Sequence, residues 1–474
     1  MPSALRTLRA LAFGLAALLL LAAAPLRAQA LPPEVDAALA RAKLPREAVT
    51  LVVADVDARQ PPRLAHRAEA PVNPASIAKL ATTFAALELL GPGWTWNTPV
   101  FLGGALREGT LLGNLYIQGQ GDPRLTTERL WQLLRRVQGL GIRRITGDIV
   151  LDRSAFELPP HDPSAFDGEA LRPYNAGPDA LLVNYRALML HFTPLPSGVA
   201  AVQVEPPLAG LVAPETVPLS SGECADWRGA LRADFRDPAR IRFEGSYPSA
   251  CGPRSWPIAA PDANGQAVRA VGALWRELGG QVDGAVREGR VTAGLKPVFV
   301  AESPTLAEVV RDINKFSNNV MAQQLFLTLS LQQRGVGTIA GSRGVLQQWW
   351  RERLQGEPPV FDNGSGLSRE ERASAAQLTR LLQHAWRSPL MPEFVASLPL
   401  AGVDGTARRA GGRAAGTAHL KTGSLRDVAG VAGYVHAPGG RRWALVAIAN
   451  HPNASAAAMR PVVEALVEWA AKQP

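Results

Sequence analysis

The 474-residue chain contains few lysines, few cysteines and no long apolar segment after residue 24. Only six of its 50 Lys and Arg residues are lysines, and only two residues are cysteines. Hydrophobic residues make up 47% and charged residues 19%, which excludes an intrinsically disordered polar chain. Because domains commonly have about 150 residues, this length predicts roughly three of them.

The scarcity of lysine is explained by a codon bias toward arginine, but the positions that keep lysine are still informative. A buried lysine can lose its proton, whereas arginine stays protonated in proteins. The lysines that remain are therefore candidates for proton transfer: Lys43, Lys79, Lys296, Lys315, Lys421 and Lys472.

The sequence gives no evidence for binding of nucleic acid, a metal ion or another cofactor, or for a stable C-terminal membrane anchor. The net charge is +9, but the basic residues form no run, so we predict no nucleic-acid binding and read the excess as suited to an anionic cell-wall polymer or lipid. The seven histidines show no ligand spacing such as H-E-x-x-H, so neither a metal nor another cofactor is predicted. The C-terminus has no basic amphipathic extension, which leaves at most peripheral membrane contact. Nothing indicates the oligomeric state.

Residues 1–30 have the pattern of a secretory signal peptide. Arg6 and Arg9 precede an apolar run over residues 10–24, and an A-x-A cleavage signal ends at Ala30. An uncleaved N-terminal anchor is the alternative. We therefore expect export to the periplasm. In that oxidising compartment Cys224 and Cys251 predict one disulfide, two unpaired thiols being the alternative.

Hydrophobic patterning divides the remaining chain into three parts. Residues 31–95 are expected to hold two strands and a helix from 74 to about 90, which Asn73 would cap. Residues 96–294 contain short apolar runs broken by Gly and Pro, which predict a mostly-β insertion of two subdomains with one helix near 126–140. Residues 295–474 return to helical patterns at 305–333, 340–354, 373–386 and 456–472, with a β-hairpin at 427–436 and 442–449. We therefore expect a discontinuous catalytic domain, 31–95 and 295–474, interrupted by 96–294.

Ser76 and Lys79 are spaced so that they lie on one face of a helix. A serine hydroxyl becomes a nucleophile when a base takes its proton, and a lysine held neutral by the positive helix N-terminus can be that base. S-x-x-K alone is a weak signal, because an ordinary exposed serine and lysine give the same pattern.

Two further motifs follow in the chain. Ser317 and Asn319 form an S-x-N in a polar turn between helical segments, where a capping cluster is the alternative. Lys421, Thr422, Gly423 and Ser424 precede the hairpin and are expected on a strand at the edge of a cleft, a polar edge strand being the alternative. Gly423 would allow another backbone or a ligand to approach closely.

In this order the three motifs resemble the signature of the penicilloyl-serine enzymes. More closely, the chain resembles the D-alanyl-D-alanine carboxypeptidases of the penicillin-binding protein 4 type, peptidase family S13. The stretches at 121–123, 147–152, 184–185 and 362–369 and the long gap between Ser76 and Ser317 also match. The resemblance implies an α+β fold with a penicillin-binding/β-lactamase-like transpeptidase domain, an antiparallel sheet flanked by helices.

The resemblance also implies a serine DD-peptidase that cleaves D-Ala-D-Ala in peptidoglycan stem peptides and is acylated by β-lactams. Ser76 would form the acyl-enzyme, Lys79 would take its proton, and Ser317 would relay a proton to the leaving amine. Asn319 would bind the peptide, and Lys421, Thr422 and Ser424 would bind its carboxylate. The N–H groups of Ser76 and Ser424 would form the oxyanion hole. Endopeptidase activity on D-Ala-diaminopimelate cross-links is expected as well.

Two questions stay open at this point. Lys315 could supply a further positive charge that helps to keep Lys79 neutral, or it could form a salt bridge that orders its loop.

Two other functions compete with the peptidase. A β-lactamase would need a glutamate to activate the deacylating water, and no motif places one. A non-catalytic binding protein is disfavoured by the intact motifs.

Overall fold

The computed structural model describes residues 30–411 and 415–473. The predicted signal peptide, apart from Ala30, lies outside the described residues. No helix within the described ranges is long and apolar enough to cross a membrane.

The helices of the described chain are α1 (Pro33–Arg41), α2 (Lys79–Leu90), α3 (Thr127–Gly139), α4 (Trp227–Leu231), α5 (Gln266–Glu277), α6 (Leu306–Phe316), α7 (Asn319–Arg334), α8 (Ile339–Leu354), α9 (Ala375–Arg387), α10 (Met391–Ser397) and α11 (Ala456–Ala471).

The strands are β1 (Val49–Asp55), β2 (Leu64–His66), β3 (Asn97–Leu102), β4 (Ala105–Arg107), β5 (Thr110–Leu112), β6 (Leu115–Gln118), β7 (Arg144–Ile145), β8 (Ile149–Asp152), β9 (Ala187–Pro194), β10 (Val199–Glu205), β11 (Thr216–Ser220), β12 (Ala233–Asp237), β13 (Arg240–Phe243), β14 (Tyr247–Pro248), β15 (Arg254–Ala259), β16 (Gln281–Val282), β17 (Val286–Glu288), β18 (Phe299–Glu302), β19 (Ala418–Leu425), β20 (Val428–His436) and β21 (Arg442–Asn450).

A five-stranded antiparallel sheet of order β19-β20-β21-β1-β2 joins the two ends of the chain. Successive residues of a strand point to opposite faces, so β1 contributes to two cores. Val52 packs in the core that contains α2, α7, α8 and α9. Leu51 and Val53 pack on the other face with α1 and α11. The expected antiparallel sheet flanked by helices is therefore confirmed.

The chain between α2 and α6 builds separate sheets. One sheet has the order β17-β8-β6-β3-β18, and its apolar core includes residues of α3 and α5. A second sheet has the order β14-β11-β10-β9-β15 and its own core, in which Cys224 and Cys251 form a disulfide. Strand β18 pairs with β3, so residues 299–302 join the first of these sheets.

Three helix predictions need correction. The expectation of one helix in 96–294 missed the short α4 and also α5, although Ala267, Ala270, Val271 and Leu274 of α5 have helical spacing and are buried. The helical pattern at 305–333 is divided into α6 and α7 at Ser317, whose φ of 56° ends the first helix. The expected helix from residue 74 begins instead as a 3₁₀ turn, Ala75–Ala78, that leads into α2.

Candidate active site

Ser76 lies in the 3₁₀ turn before α2, and side chains outside the turn hold it in place. Ala75 has a φ of 48°, a left-handed conformation that interrupts a regular helix. Asn73 accepts a hydrogen bond from the Ala75 N–H (2.8 Å) and donates one to the Ser368 carbonyl (2.8 Å). Asn73 thus fixes the turn from the position where the sequence predicted a cap, but it stabilises a tighter turn than the expected α-helix.

Lys79 is completely buried beside Ser76. Its Nζ donates to Ser76 Oγ (2.9 Å), to Asn319 Oδ1 (2.7 Å) and to the Ser365 carbonyl oxygen. Burial lowers the pKa of Lys79 to about 7, and the negative charge of Glu371 opposes this shift. An amine with a pKa near neutrality is well suited to take a proton from the adjacent hydroxyl.

The S-x-N segment connects α6 to α7. Ser317 takes the left-handed conformation that turns the chain, and its Oγ accepts a hydrogen bond from Lys421 Nζ (2.9 Å). Asn318 caps α7 by accepting from the Met321 N–H (3.0 Å). Capping is therefore the role of the middle residue, which leaves Asn319 free to bond Lys79 and to donate to the Tyr174 carbonyl (3.1 Å).

Lys421 lies on a strand, as the sequence predicted. This strand, β19, is at the edge of its sheet, and Lys421 is also completely buried. Burial first, and then the positive charge of Lys79, hold the pKa of Lys421 well below its usual value. The alternation of the strand places Thr422 and Ser424 on the opposite face, where Ser424 is exposed and Thr422 bonds Thr406 (2.6 Å between Oγ1 atoms).

Gly423 packs β19 against the serine turn. A Cβ at this position would lie 2.7 Å from the Pro74 carbonyl oxygen and 3.1 Å from Ile77 Cγ1. Only glycine therefore lets the strand come this close to the turn.

The loop over residues 362–368 forms the wall behind Lys79. It supplies the Ser365 carbonyl to Lys79, and the Gly364 carbonyl accepts from Thr82 Oγ1 (2.8 Å). Gly366 has a φ of +77°, and a Cβ there would lie 2.0 Å from the Ala75 carbonyl oxygen. The sequence identified this loop as a stretch that matches the family. It gave no sign of the Ser365 carbonyl contact, because a backbone group has no residue signature.

Glu371 was missed by the sequence analysis. It lies just after this loop and is 1% exposed, and its charge acts on Lys79. The neighbouring Glu370 is exposed, so two adjacent glutamates differ completely in environment and composition alone could not separate them.

Lys315 forms an ion pair with Asp404 (Nζ to Oδ2, 2.6 Å) and is largely buried. This is the salt bridge that the sequence left open as an alternative. It ties the end of α6 to the segment before β19.

No group of three or more His, Cys, Asp or Glu side chains in the described chain is arranged to hold a metal ion. A cavity of about 490 Å³ adjoins Ser317 and Asn319 and is also lined by Tyr174 and the exposed Phe316. The five motif residues thus form two neighbouring hydrogen-bonded groups beside this cavity, and the charge of Lys79 acts on Lys421 across them: Ser76, Lys79 and Asn319 in one, Ser317 and Lys421 in the other.

Comparison with known proteins identifies the family. The D-Ala-D-Ala carboxypeptidase 3 (S13) family matches residues 31–473. The chain belongs to this family. It is a serine DD-peptidase that acts on peptidoglycan, and the family predicted from the three motifs is confirmed.

Two curated relatives and one solved structure show how far the similarity extends. A D-alanyl-D-alanine carboxypeptidase from Actinomadura sp. (strain R39) is 29% identical over 84% of this chain and 78% of its own length. The carboxypeptidase DacB of Haemophilus influenzae is 24% identical over 79% of this chain and 80% of its own. The crystal structure of penicillin-binding protein 4 from H. influenzae superposes with a TM-score of 0.75 at 21% identity, covering 93% of this chain and 99% of the other. That last likeness shows the shared fold.

Proposed function

We propose that this S13 peptidase acts through an acyl-enzyme formed on Ser76, with Lys79 as the general base. The observation that carries the proposal is the hydrogen bond between Lys79 Nζ and Ser76 Oγ inside a site where burial lowers the lysine pKa to about 7. An arginine in that place could not give up a proton at physiological pH.

The proposed reaction has two halves. Lys79 takes the Ser76 proton while Oγ attacks the carbonyl carbon of the penultimate D-Ala. The C–N bond then breaks, and the leaving amine of the terminal D-Ala receives a proton by way of Ser317, which Lys421 hydrogen-bonds. In the second half, water attacks the ester on Ser76 and Lys79 again serves as base. The released acid is the shortened stem peptide.

Substrate binding is assigned to residues in and around these two hydrogen-bonded groups. Asn319 binds the peptide backbone, and Lys421 with Thr422 and Ser424 binds the terminal carboxylate. The exposed position of Ser424 and the hydroxyl of Thr422 at the edge strand support this assignment. The backbone N–H groups of Ser76 and Ser424 serve as the oxyanion hole, where loss of one donor typically costs about 10²–10³ in rate. Lys315 and Asp404 support the Ser317 loop through their ion pair.

The wider biology is proposed on the same basis. Residues 1–30 direct export to the periplasm, where the Cys224–Cys251 disulfide is stable. The catalytic domain comprises 31–95 and the residues after β18, and the insertion extends beyond the predicted residue 294 because β18 pairs with β3. Endopeptidase action on cross-links accompanies carboxypeptidase action, and β-lactams acylate Ser76. A complex of the H. influenzae penicillin-binding protein 4 with a β-lactam supports the last point.

Labelling with a fluorescent penicillin tests the acyl-enzyme. The wild-type protein is expected to form a stable adduct that the Ser76→Ala variant does not form. Rapid turnover of the penicillin would indicate a β-lactamase, and a wild type without any adduct would contradict the proposal. Digestion of purified cell-wall fragments then separates release of D-Ala from loss of cross-links.

A further inference from the structure

Glu371 is a buried carboxyl group to which the proposed reaction gives no role. One of its oxygens, Oε1, accepts from the backbone N–H groups of Asp362 (3.2 Å) and Asn363 (3.4 Å). The other, Oε2, is buried and finds no hydrogen-bond partner among the residues that the structure describes. Burying a carboxyl oxygen without a hydrogen-bond partner lowers the stability of the folded protein, which indicates that Glu371 is kept for its function.

The amide groups that bind Glu371 begin the loop that holds Lys79. The Asn363 side chain continues the connection, because its Oδ1 accepts from the Ser365 N–H (3.0 Å) and from Ser365 Oγ (2.7 Å). The Ser365 carbonyl oxygen in turn accepts from Lys79 Nζ. A short chain of hydrogen bonds thus runs from the carboxyl group of Glu371 to the amine of Lys79.

We propose that Glu371 is a positioning residue for acyl transfer, which fixes the 362–368 loop behind Lys79 and places a negative charge that stabilises the lysine ammonium formed when Ser76 loses its proton. This inference rests on the proposed function of Lys79 as the base. It assigns to the carboxyl group an electrostatic action through Lys79, without contact with the substrate.

Three further ionisable side chains, on three different elements, lie around Lys79 and Glu371. Burial and the positive charge of Lys79 lower the pKa of Lys421 on β19. Asp362 in the loop adds negative charge beside Glu371 and accepts a hydrogen bond from Arg343 of α8. Burial raises the pKa of Glu371 to about 7, the two backbone N–H donors and Lys79 acting against the rise and Asp362 adding to it. Because Lys79 titrates in the same range, the two groups are expected to titrate as a coupled pair.

The test is the pH dependence of acylation by benzylpenicillin in the Glu371→Gln variant. Glutamine retains the carbonyl oxygen that accepts from the backbone but lacks the charge, so the loop contact can persist. Without the negative charge the pKa of Lys79 falls, and the acid limb of the rate should move to lower pH by about 1 unit, the lower end of the effect of a nearby opposite charge. The rate on the plateau should fall severalfold, because Lys79 is then a weaker base.

Glu370→Gln is the matched control, since it removes the same charge from the exposed neighbouring residue and should leave the acid limb in place. If the acid limb of the acylation rate is at the same pH in Glu371→Gln as in the wild type, the inference is wrong. If that variant shows no cooperative melting transition, Glu371→Asp replaces it. The aspartate keeps the charge but withdraws it by one methylene from the amide groups of the loop, so slower acylation with a limb shifted less than in Glu371→Gln is expected. Acylation at the wild-type rate at every pH would contradict the positioning role. Failure of the wild type itself to be acylated would instead contradict the proposed function.

Discussion

The lysines of this arginine-rich chain divide sharply by environment. Lys79 and Lys421 are completely buried and hydrogen-bonded to serine hydroxyls, whereas Lys296 is exposed. Lysine scarcity therefore drew attention to two positions where an arginine would bring a permanent charge into a buried site. Codon bias would explain the arginines, and the proposed proton transfer at Lys79 and carboxylate binding at Lys421 would explain why lysine is retained at these two positions.

The pKa of Lys79 leads to a prediction about pH. Because its folded pKa is about 7, acylation should be half-maximal near pH 7, reach a plateau about one pH unit higher and fall by up to about tenfold per unit well below pH 7, as the protonated amine ceases to act as a base. Lys79→Arg should lose acylation while it keeps a cooperative melting transition. The measurement is the rate of penicillin labelling between pH 5 and 9. Lys296→Arg is the control at an exposed lysine, and labelling of Lys79→Arg at the wild-type rate would rule out Lys79 as the base.

For individual residues, the sequence predicted which side chains belong to the candidate site but not which backbone groups contact them. The five motif residues could be predicted because their chemistry requires particular side chains in a particular order. The Ser365 carbonyl could not, since every residue carries the same carbonyl group. Glu371 could not either, because its burial depends on how the loop after α8 packs under α2.

The elements that carry these residues are held by close backbone contacts. Strand β19 and the 362–368 loop approach the serine turn at Gly423 and Gly366, where a Cβ would collide with backbone atoms of Pro74 and Ala75. The sequence predicted the strand, the hairpin and most helices within a few residues. The left-handed Ala75 was not predictable, because alanine has no preference for that conformation and tertiary contacts impose it.

The serine turn gives a prediction about Asn73. Its side chain bonds both the turn and the Ser368 carbonyl, so Asn73→Ala should lower the free energy of unfolding by about 1–2 kcal/mol and slow acylation by at least about tenfold. Thermal melting and penicillin labelling are the two measurements. Ser455→Ala is the matched control, because Ser455 caps α11, away from the site, by accepting from the Ala458 N–H. This control should lose comparable stability and keep its acylation rate. Equal acylation in both variants would contradict a role for Asn73 in holding Ser76.

On the scale of the whole molecule, the site depends on contacts between distant parts of the chain. β1 pairs with β21, with Val52 opposite Val446, so the central sheet closes only when both ends of the chain are present. The sequence predicted that a single domain is interrupted. It could not give this register, because pairing between segments so far apart depends on the packing of everything between them.

The insertion also contacts the site directly. The Tyr174 carbonyl accepts from Asn319, and the backbone of Asp179 exchanges two hydrogen bonds with the side chain of Gln324 on α7 (2.8 Å each). These contacts come from the segment between β8 and β9, whose Leu171 carbonyl accepts from the Ala259 N–H of β15 in the second sheet. The sheet that contains the disulfide has a separate core, so the two parts of the insertion should respond differently to perturbation.

The disulfide provides the test of that separation. Cys224 and Cys251 are 27 residues apart, so removing the bond with a Cys224→Ser/Cys251→Ser double variant should destabilise that sheet by about 3.5 kcal/mol through loop entropy. The hydrogen bonds of Asn319 and Gln324 involve no residue between the two cysteines, so penicillin labelling at 25 °C should keep its rate. Calorimetry should show a lowered melting temperature that reducing agent reproduces in the wild type and leaves unchanged in the variant. A parallel loss of acylation would mean that the two sheets form one cooperative unit, and that the disulfide stabilises the catalytic cleft as well as its own sheet.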